Sequence, residues 1–265
     1  MPTNTGLGDL LRHWRAARGK SQLALALDAG LSQRHISFIE SGRSQPGRAK
    51  LMDIADALDI PLRDRNALLL AAGYAPAYPD QPWDAPQMAS ILAAVDRMLQ
   101  AADPYPAVLM DRGWNVLKAN RAAPRLFGHF VDLSARTGPR NILHLMFDPA
   151  GMRPFIRDWP RTARSLLDRV AREATGRVLD QNSRTLLDGL AAYGPMPPAR
   201  VVPAPGPDLP MVPLGFEKDG LVLQYFSMIS TVGTPTAVAA EELRVEWMFP
   251  ADPATEREHL ALMQR

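Results

Sequence analysis

Four side chains in one short stretch combine an amide, a guanidinium, a hydroxyl and an apolar ring: Gln33, Arg34, Ser37 and Phe38. On a helix these residues share one face, and such a face can reach base edges in a DNA major groove. A glutamine amide suits adenine and an arginine guanidinium suits guanine, so Gln33 and Arg34 are the expected base contacts. Ser37 suits a base or a phosphate, and Phe38 suits a thymine methyl group or local packing. The stretch therefore has the chemistry of a DNA recognition helix.

The same stretch carries the signals that begin and end a helix. Ser32 is a good N-cap because its hydroxyl can accept a hydrogen bond from an N–H group of the first turn. Leu31 and Ile36 have the spacing of a hydrophobic staple across that cap. Gly42 stands where a left-handed residue closes a helix. We therefore predict a short helix between Ser32 and Gly42, with Ile36 and Ile39 on its inner face.

Neighbouring helices must hold this one in place. Spacing at i, i+3, i+4 and i+7 predicts an amphipathic first helix from Leu7, Leu10, Leu11 and Trp14. Ser21 caps a second helix, whose buried side we expect to be Leu23, Ala24 and Leu27. Gly30 then makes a tight turn into the predicted recognition helix, which is the helix-turn-helix arrangement. Two more helices are predicted at 51–58 and 61–73, and the second offers to the core Leu62, Leu68, Leu69 and Leu70.

The run SQLALALDAGLSQRHISFIESGRSQPGRAKLMDIADALDIP resembles the Cro/repressor (XRE-type) DNA-binding domain, an all-α domain of five helices. The residues that carry the likeness are Arg15, Gln22, Leu23, Ala24, Gly30, Ser32, Ile36, Ile39, Glu40, Gly42 and Pro46. The resemblance implies that Arg15 of the first helix pairs with Glu40 at the end of the recognition helix. It also implies that Gln22 touches a DNA phosphate. Gly47 departs from the pattern, since relatives often place a serine cap there, but glycine caps almost as well.

Contacts to the phosphate backbone position a protein without specifying a sequence. We expect them from Ser21, Gln22 and Arg43, and we include Ser32 in the DNA-binding set. Residues 1–75 hold ten Lys and Arg against seven Asp and Glu, whereas the remainder holds twenty against twenty-one. The small positive excess therefore lies beside the predicted recognition helix. The competing interpretation is a helical bundle with no role on nucleic acid.

Four prolines within eleven residues follow this domain: Pro76, Pro79, Pro82 and Pro86. They exclude a helix interior or a central strand, so we divide the chain into residues 1–75, a stiff linker at 76–87 and a second domain at 88–265. In that domain, apolar runs predict strands at 107–110, 114–117, 212–216, 221–229 and 243–249, with helices between the second and third, a longer one of which runs from Phe155 to Glu173. Eight prolines predict an irregular crossing at 195–213. This order indicates an α+β domain on one antiparallel sheet.

Three blocks of the second domain resemble, in order, the MmyB-like ligand-binding domain, which has a PAS-like fold. The blocks are ADPYPAVLMDRGWNVLKANRAAPRLF, RNILHLMFDPAGMRPFIRDW and FSMISTVGTPTAVAAEELRVEWMFPAD. The resemblance implies a transcription regulator whose second domain encloses an apolar cavity. It also implies a small apolar ligand, with a fatty acid as the leading candidate.

Candidate pocket residues in the second domain are mostly large and apolar: Trp114, Phe127, Leu143, Met146, Phe155, Trp159, Phe226 and Met228. For each of them a place in the hydrophobic core is the commoner interpretation. Arg140, like Arg153, stands beside an apolar helical segment and could meet a ligand carboxylate through two hydrogen bonds; a solvated surface charge is the alternative. The predicted strands are apolar on both sides, although a sheet covered by helices on one face needs only one apolar side. The additional apolar surface belongs either to a pocket or to a dimer interface.

The sequence lacks the residues that several classes of function require. The chain has no cysteine, so disulfides and thiolate metal sites are excluded, and its five histidines are not spaced as metal ligands. No nucleophile elbow, phosphate-binding loop or dinucleotide fingerprint occurs, so we expect neither an enzyme nor a cofactor. No apolar run approaches the roughly 20 residues of a membrane span. No basic-then-apolar pattern opens the sequence, which favours a cytoplasmic protein.

We therefore expect a cytoplasmic bacterial transcription regulator. Its first domain would bind a near-palindromic operator on double-stranded DNA, as part of a homodimer. Its second domain would bind a small apolar ligand that biases DNA affinity. In the alternative, the second domain is only a dimerisation or protein-interaction module without a ligand.

Overall fold

A computed structural model describes residues 6–173, 181–195 and 214–264. These residues form two compact units. The first contains the chain up to Pro82 together with residues 171–173 and 234–241, and the second contains the rest from Trp83 onward. The irregular crossing predicted at 195–213 lies outside the described residues except for Pro195.

The part of the first unit up to Pro82 contains five helices: α1 (Leu7–Ala17), α2 (Gln22–Asp28), α3 (Gln33–Glu40), α4 (Arg48–Ala57) and α5 (Leu62–Ala71). Side chains from all five helices meet in one hydrophobic core, which includes Leu11, Trp14, Leu25, Ile36, Ile39, Leu51, Ile54 and Leu69. Serine N-caps begin α2 and α3, where Ser21 and Ser32 each accept a backbone N–H. The prediction of an all-α domain with five helices is confirmed.

The predicted inner face of α2 is wrong. Leu23 is 52 % exposed and Leu27 is 73 % exposed, whereas Leu25 and Ala26 are buried. The sequence of this helix, QLALALD, is apolar around most of its circumference, so spacing alone does not identify the face that packs inward. For the same reason Leu70 of α5 was wrongly expected in the core, and it is 60 % exposed.

The second unit begins with a single 3₁₀ turn at Pro86–Met88 and α6 (Ala89–Ala102). Its other helices are α7 (Ala122–Phe130), α8 (Ile142–Phe147), α9 (Trp159–Glu173, whose last residues group with the first unit), α10 (Gln181–Ala191) and α12 (Pro253–Gln264). The short helix α11 (Val238–Glu242) follows β4 in the chain, and its residues up to Glu241 group with the first unit. Helix α12 was not predicted, although Asp252 before Pro253 is a helix-start signal and its carboxylate accepts the Thr255 N–H at 2.7 Å.

Five strands form one antiparallel sheet: β1 (Ala107–Met110), β2 (Val116–Ala119), β3 (Leu214–Lys218), β4 (Leu221–Thr231) and β5 (Arg244–Pro250). Their order across the sheet is β2-β1-β5-β4-β3. In the register, Leu109 pairs with Val245 and Leu214 pairs with Tyr225. The α+β architecture on an antiparallel sheet is confirmed.

Two details of the second unit differ from prediction. Trp114 lies in the turn before β2 rather than in the strand, with a positive φ of 65°. Phe155 lies in a 3₁₀ turn at Arg153–Phe155, so the long helix starts at Trp159 instead. The turn at Trp114 and the proline of the 3₁₀ turn, Pro154, interrupt the regular elements at these two points. The spacing of apolar residues does not reveal either interruption.

One face of the sheet packs on the main core of the second unit. Leu223 and Tyr225 of β4 belong to that core, together with Leu126, Phe147 and Phe216. Successive side chains of a strand point to opposite faces, so Phe226 and Met228 lie on the other side of the sheet. None of the helices within the described ranges is long and apolar enough to cross a membrane.

Candidate functional site

Helix α3 is fixed at its start by local hydrogen bonds. The Ser32 hydroxyl accepts the His35 N–H at 3.2 Å, which satisfies one orphan donor of the first turn. At the other end Gly42 adopts a φ of 73°, and the chain turns back so that the Arg43 N–H donates to the Phe38 carbonyl at 2.8 Å. This closure is typical of a helix that ends at a left-handed glycine.

The last residue of α3, Glu40, is held by side chains from two other helices. Arg15 of α1 donates to both of its carboxylate oxygens, Nε to Oε1 at 2.6 Å and Nη2 to Oε2 at 3.0 Å. Gln22 of α2 donates its amide to Oε2 at 2.9 Å. Arg12 of α1 donates to the Glu40 backbone carbonyl at 2.7 Å. Together these bonds tie the C-terminal end of α3 to α1 and α2.

Close backbone approach supports the same anchor. A Cβ atom on Gly8 of α1 would lie 2.3 Å from the Glu40 carbonyl oxygen, so only glycine fits there without a shift. The Glu40 side chain is 4 % exposed and that of Arg15 is 17 % exposed. Burial raises the pKa of the Glu40 carboxyl, but the hydrogen bonds from Arg15 and Gln22 and the charges of Arg15 and Arg12 outweigh it. The pKa of Glu40 is therefore below its ordinary value.

The opposite side of α3 is open. Gln33 and Arg34 are exposed, and Ser37 and Phe38 are half-buried. Across the residues that the structure describes, the guanidinium groups of Arg34 and Arg43 make neither a hydrogen bond nor an ion pair. Both lie over the Phe38 ring, with the Arg34 Cζ 5.1 Å and the Arg43 Cζ 5.9 Å from its centre. An exposed face with uncommitted donors is suited to an anionic, hydrogen-bonding partner such as DNA.

The residues expected at phosphates have different local roles. Ser21 accepts the Ala24 N–H at 3.0 Å and Ser32 accepts the His35 N–H, so both hydroxyl oxygens cap their own helices. The amide nitrogen of Gln22 is committed to Glu40. Arg43 is exposed in the turn after α3.

The residues expected at a ligand pocket in the second unit fall into three groups. Six lie together, since Trp114, Phe127, Leu143 and Met146 are buried in the core and Phe155 and Trp159 pack against it. Phe226 and Met228 lie on the other face of the sheet, where Met228 is 59 % exposed. Arg140 is exposed. Arg153 donates to the Tyr193 carbonyl at 2.9 Å and lies over the Trp159 ring.

An open groove of about 700 Å³ runs beside that core. Its apolar wall includes Phe130, Val131, Pro154 and Phe155. Its polar part contains the ion pair of Arg136 and Asp148, whose nitrogen and oxygen are 2.9 Å apart. Among the residues expected to line a pocket, Phe155 lines this groove. The loop that contains Val131 has no sequence pattern that would have predicted its place in the groove.

Residues 91–262 match the family model for the MmyB-like transcription regulator ligand binding domain. The chain belongs to this family. Residues 11–64 match a helix-turn-helix family model, which covers the chain from within α1 to the first turn of α5. The chain thus combines a helix-turn-helix region with an MmyB-like transcription regulator ligand binding domain.

A curated relative is similar to one part of this MmyB-like chain. It is an uncharacterised HTH-type transcriptional regulator, y4dL, from Sinorhizobium fredii (strain NBRC 101917 / NGR234). The two are 46 % identical over 52 residues, which are 20 % of this chain and 26 % of the relative. The match therefore spans about a quarter of the length of that relative.

The MmyB-like domain also contains a charged cluster that the sequence did not indicate. Two guanidinium groups lie over the Trp114 ring, with the Arg169 Cζ at 4.5 Å and the Arg244 Cζ at 4.4 Å from its centre. Arg169 also donates to both carboxylate oxygens of Glu246, at 2.7 and 2.8 Å. These residues come from α9, β5 and the turn before β2, so only the folded chain brings them together.

Proposed function

We propose that this MmyB-like regulator binds a near-palindromic operator as a homodimer, with α3 of each protomer in a major groove. Gln33 and Arg34 read base edges, and Ser37 contacts a base or a phosphate. Arg43 contacts the phosphate backbone, with Ser21, Gln22 and Ser32 near it. The observation that carries this proposal is the contrast between the two sides of α3. Its inner side is tied to α1 and α2 through Glu40. Arg34 on its outer side and Arg43 in the following turn have guanidinium groups without a hydrogen bond or ion pair to any described residue.

Selection of duplexes from a random pool by the full-length protein tests this proposal. A two-fold dimer should enrich a near-palindrome whose half-sites lie about 34–36 Å apart, one helical turn, or a multiple of that distance. Footprinting should show two symmetric protected segments, and native mass spectrometry should report two chains per duplex. Protection of one short unsymmetrical site would contradict the dimer, and failure to enrich any sequence would contradict specific binding.

We further propose that the second domain binds a small apolar ligand, with a medium- or long-chain fatty acid as the leading candidate. The groove beside Phe155 supports this because its volume of about 700 Å³ lies within the range of roughly 300–1,000 Å³ usual for small-molecule sites. Its wall combines aromatic and aliphatic side chains with the Arg136–Asp148 ion pair and the carboxylate of Asp132. Ligand and DNA would then be linked by a coupling free energy of about 1–3 kcal/mol.

Titration with saturated fatty acids of increasing length tests the ligand. Each buried methylene is worth about 0.8 kcal/mol, so affinity should rise with chain length until the groove is full and then level off or fall. Phe155→Trp narrows the groove and should shift the optimum to shorter chains. Leu70→Ala, an exposed position on α5 of the first unit, is the matched control and should leave the optimum unchanged. Affinity that ignores chain length would contradict an acyl ligand.

The rival proposal treats the second domain as a dimerisation or protein-interaction module without a ligand. A compound that binds only the folded state must raise its stability, so ligand-dependent melting separates the two proposals. No shift with any fatty acid, together with a stable dimer, would favour the rival. Intact and denatured masses of freshly purified protein would show directly whether a lipid is retained.

A further inference from the structure

Phe38 contacts the two uncommitted arginines of the DNA-facing surface at once. Arg34 precedes it by four residues, so the two side chains lie on the same side of α3. The Arg34 Cζ is 5.1 Å and the Arg43 Cζ is 5.9 Å from the centre of the Phe38 ring. Both distances are within about 6 Å, the range over which a guanidinium is attracted to an aromatic face.

The backbone of Phe38 contributes to this arrangement as well as its ring. Its carbonyl accepts the N–H groups of Arg43 at 2.8 Å and Ser44 at 3.1 Å, and also the Ser41 hydroxyl at 3.2 Å. These bonds close the turn at Gly42 and return the chain toward α3. A residue nine positions after Arg34 is thereby brought to the same ring.

We propose that Phe38 is a positioning residue that holds Arg34 and Arg43 ready for DNA, so that one ring supports a base contact and a phosphate contact together. This inference rests on the proposed DNA-binding function and deepens it. An ordered guanidinium loses less conformational freedom when it binds, and stacking on a ring leaves its N–H donors available. The alternatives are a thymine contact made by the ring itself and simple local packing.

The arrangement predicts that an aromatic face is required at position 38, rather than an apolar side chain. Phe38→Leu keeps an apolar side chain but removes the π face, whereas Phe38→Tyr keeps the face. A thymine methyl contact or local packing would be largely preserved in Phe38→Leu. The two substitutions therefore separate the proposal from its alternatives.

The first experiment needs no DNA. Nitrogen-15 relaxation of the arginine Nε–Hε groups in the full-length protein reports how restrained each side chain is. Arg34 and Arg43 should be more restrained than Arg97, an exposed arginine of α6 for which the described chain provides no hydrogen bond or ion pair. Phe38→Leu should lower both to the level of Arg97, and Phe38→Tyr should not. Equal mobility in the unaltered protein, or no change in Phe38→Leu, would overturn the proposal.

The second experiment measures affinity for the duplex that the unaltered protein selects. Ordering a free arginine on binding weakens affinity by about two- to tenfold for each side chain, so Phe38→Leu should bind at least about fivefold more weakly. Phe38→Tyr should bind the duplex as tightly as the unaltered protein does. Arg43→Ala should also cost less in the Phe38→Leu background than alone, because the two residues act together. Unchanged affinity of Phe38→Leu would overturn the proposal.

The two experiments fail separately. If no duplex is enriched, the proposed DNA-binding function fails, while the relaxation data still decide whether Phe38 restrains the arginines. If a duplex is enriched but Phe38→Leu binds it as tightly as the unaltered protein, the DNA-binding function stands and the positioning role is lost.

Discussion

Two arginines on the DNA-facing surface of the first unit differ from two arginines of the second unit in the groups that hold their side chains. In the first unit, Arg34 and Arg43 lie against an aromatic ring and have no carboxylate partner within the described chain. In the second unit, Arg136 is paired with Asp148 at 2.9 Å and Arg169 with Glu246 at 2.7 Å. Guanidinium groups are thus left available at the outer face of α3, whereas Arg136 at the groove and Arg169 beside Trp114 are neutralised.

This difference bears on the kind of partner that each unit can take. An anion that reaches Arg34 displaces only water, whereas an anion that reaches Arg136 competes with a partly buried carboxylate. A polyanion is therefore expected on the first unit. A ligand of the second unit must gain most of its affinity from apolar contacts, which agrees with the aromatic wall of the groove near Phe155.

The largest loss of stability is expected where a mutation leaves a partly buried charge without its partner. Glu40→Ala removes the carboxylate and leaves Arg15 partly buried without its partner. We expect the first unit to lose about 3–5 kcal/mol of its free energy of unfolding, the range found when one partner of a buried pair is removed. Denaturation followed by amide hydrogen exchange in α1–α5 would measure it. Glu40→Gln, which keeps a carbonyl acceptor, is the control and should lose less; an unchanged Glu40→Ala would show that the pair does not hold α3.

A second test compares the helix caps of the two units. The Asn141 oxygen accepts the N–H groups of Leu143 and His144 at 3.0 and 3.2 Å, and its amide donates to the Gly113 carbonyl at 2.7 Å. Asn141 is buried, so Asn141→Ala leaves several buried groups unsatisfied and should cost about 2–4 kcal/mol. Ser32 is exposed and makes one cap bond, so Ser32→Ala should cost about 1 kcal/mol. Melting curves that rank the two variants in the reverse order would contradict this account of the caps.

Smaller effects are expected where arginine and glutamine are uncommitted. Arg34→Ala and Gln33→Ala remove no ion pair to any residue that the structure describes, so stability should change little. Specific binding should weaken by about 1–3 kcal/mol, with relaxed preference at one base position per half-site. Affinity measured on duplexes changed one base at a time would show this. Uniform weakening on all duplexes would make these residues phosphate contacts instead.

The five helices of the first unit could be predicted because their signals are local. Ser21, Ser32 and Gly42 begin and end helices through bonds to residues a few positions away, and a sequence pattern records such bonds directly. The inner face of α2 could not be predicted, because QLALALD offers apolar residues in nearly every direction. Only the packing of neighbouring helices decides that Leu25 is buried and Leu27 is not.

The candidate sites show the same division. The outer face of α3 follows from spacing within one helix, so Gln33 and Arg34 could be named from the sequence. The groove of the second unit is assembled from α7, the loop after it, and the turn at Arg153–Phe155, and no local pattern joins them. Trp114 is far along the chain from both Arg169 and Arg244, so this contact too required the folded chain.

Buried titratable groups make the stability of the two units depend on pH in different ways. In the second unit His259 is fully buried; its Nε2 is 2.9 Å from the Pro104 carbonyl and its Nδ1 is 2.9 Å from the Tyr225 hydroxyl. The neutral ring with its proton on Nε2 satisfies both contacts, by donating to the carbonyl and accepting from the hydroxyl. Burial lowers the pKa of His259, although the Pro104 carbonyl and the charge of Glu256 oppose this. Burial likewise lowers the pKa of His144 in the same unit.

The last prediction is that acid weakens the two units in sequence. A histidine whose folded pKa is lowered stabilises the fold above its ordinary value of 6.5, and this contribution is lost as pH falls from there toward the folded pKa. The lowered pKa of Glu40 acts in a different window, since its contribution is lost only as pH falls below the ordinary value of 4.5. Between these values, hydrogen exchange should show the second unit opening more readily while α1–α5 keep their protection. His259→Gln should flatten that response, and a first unit that weakens over the same window would contradict the assignment of Glu40 as its acid-sensitive anchor.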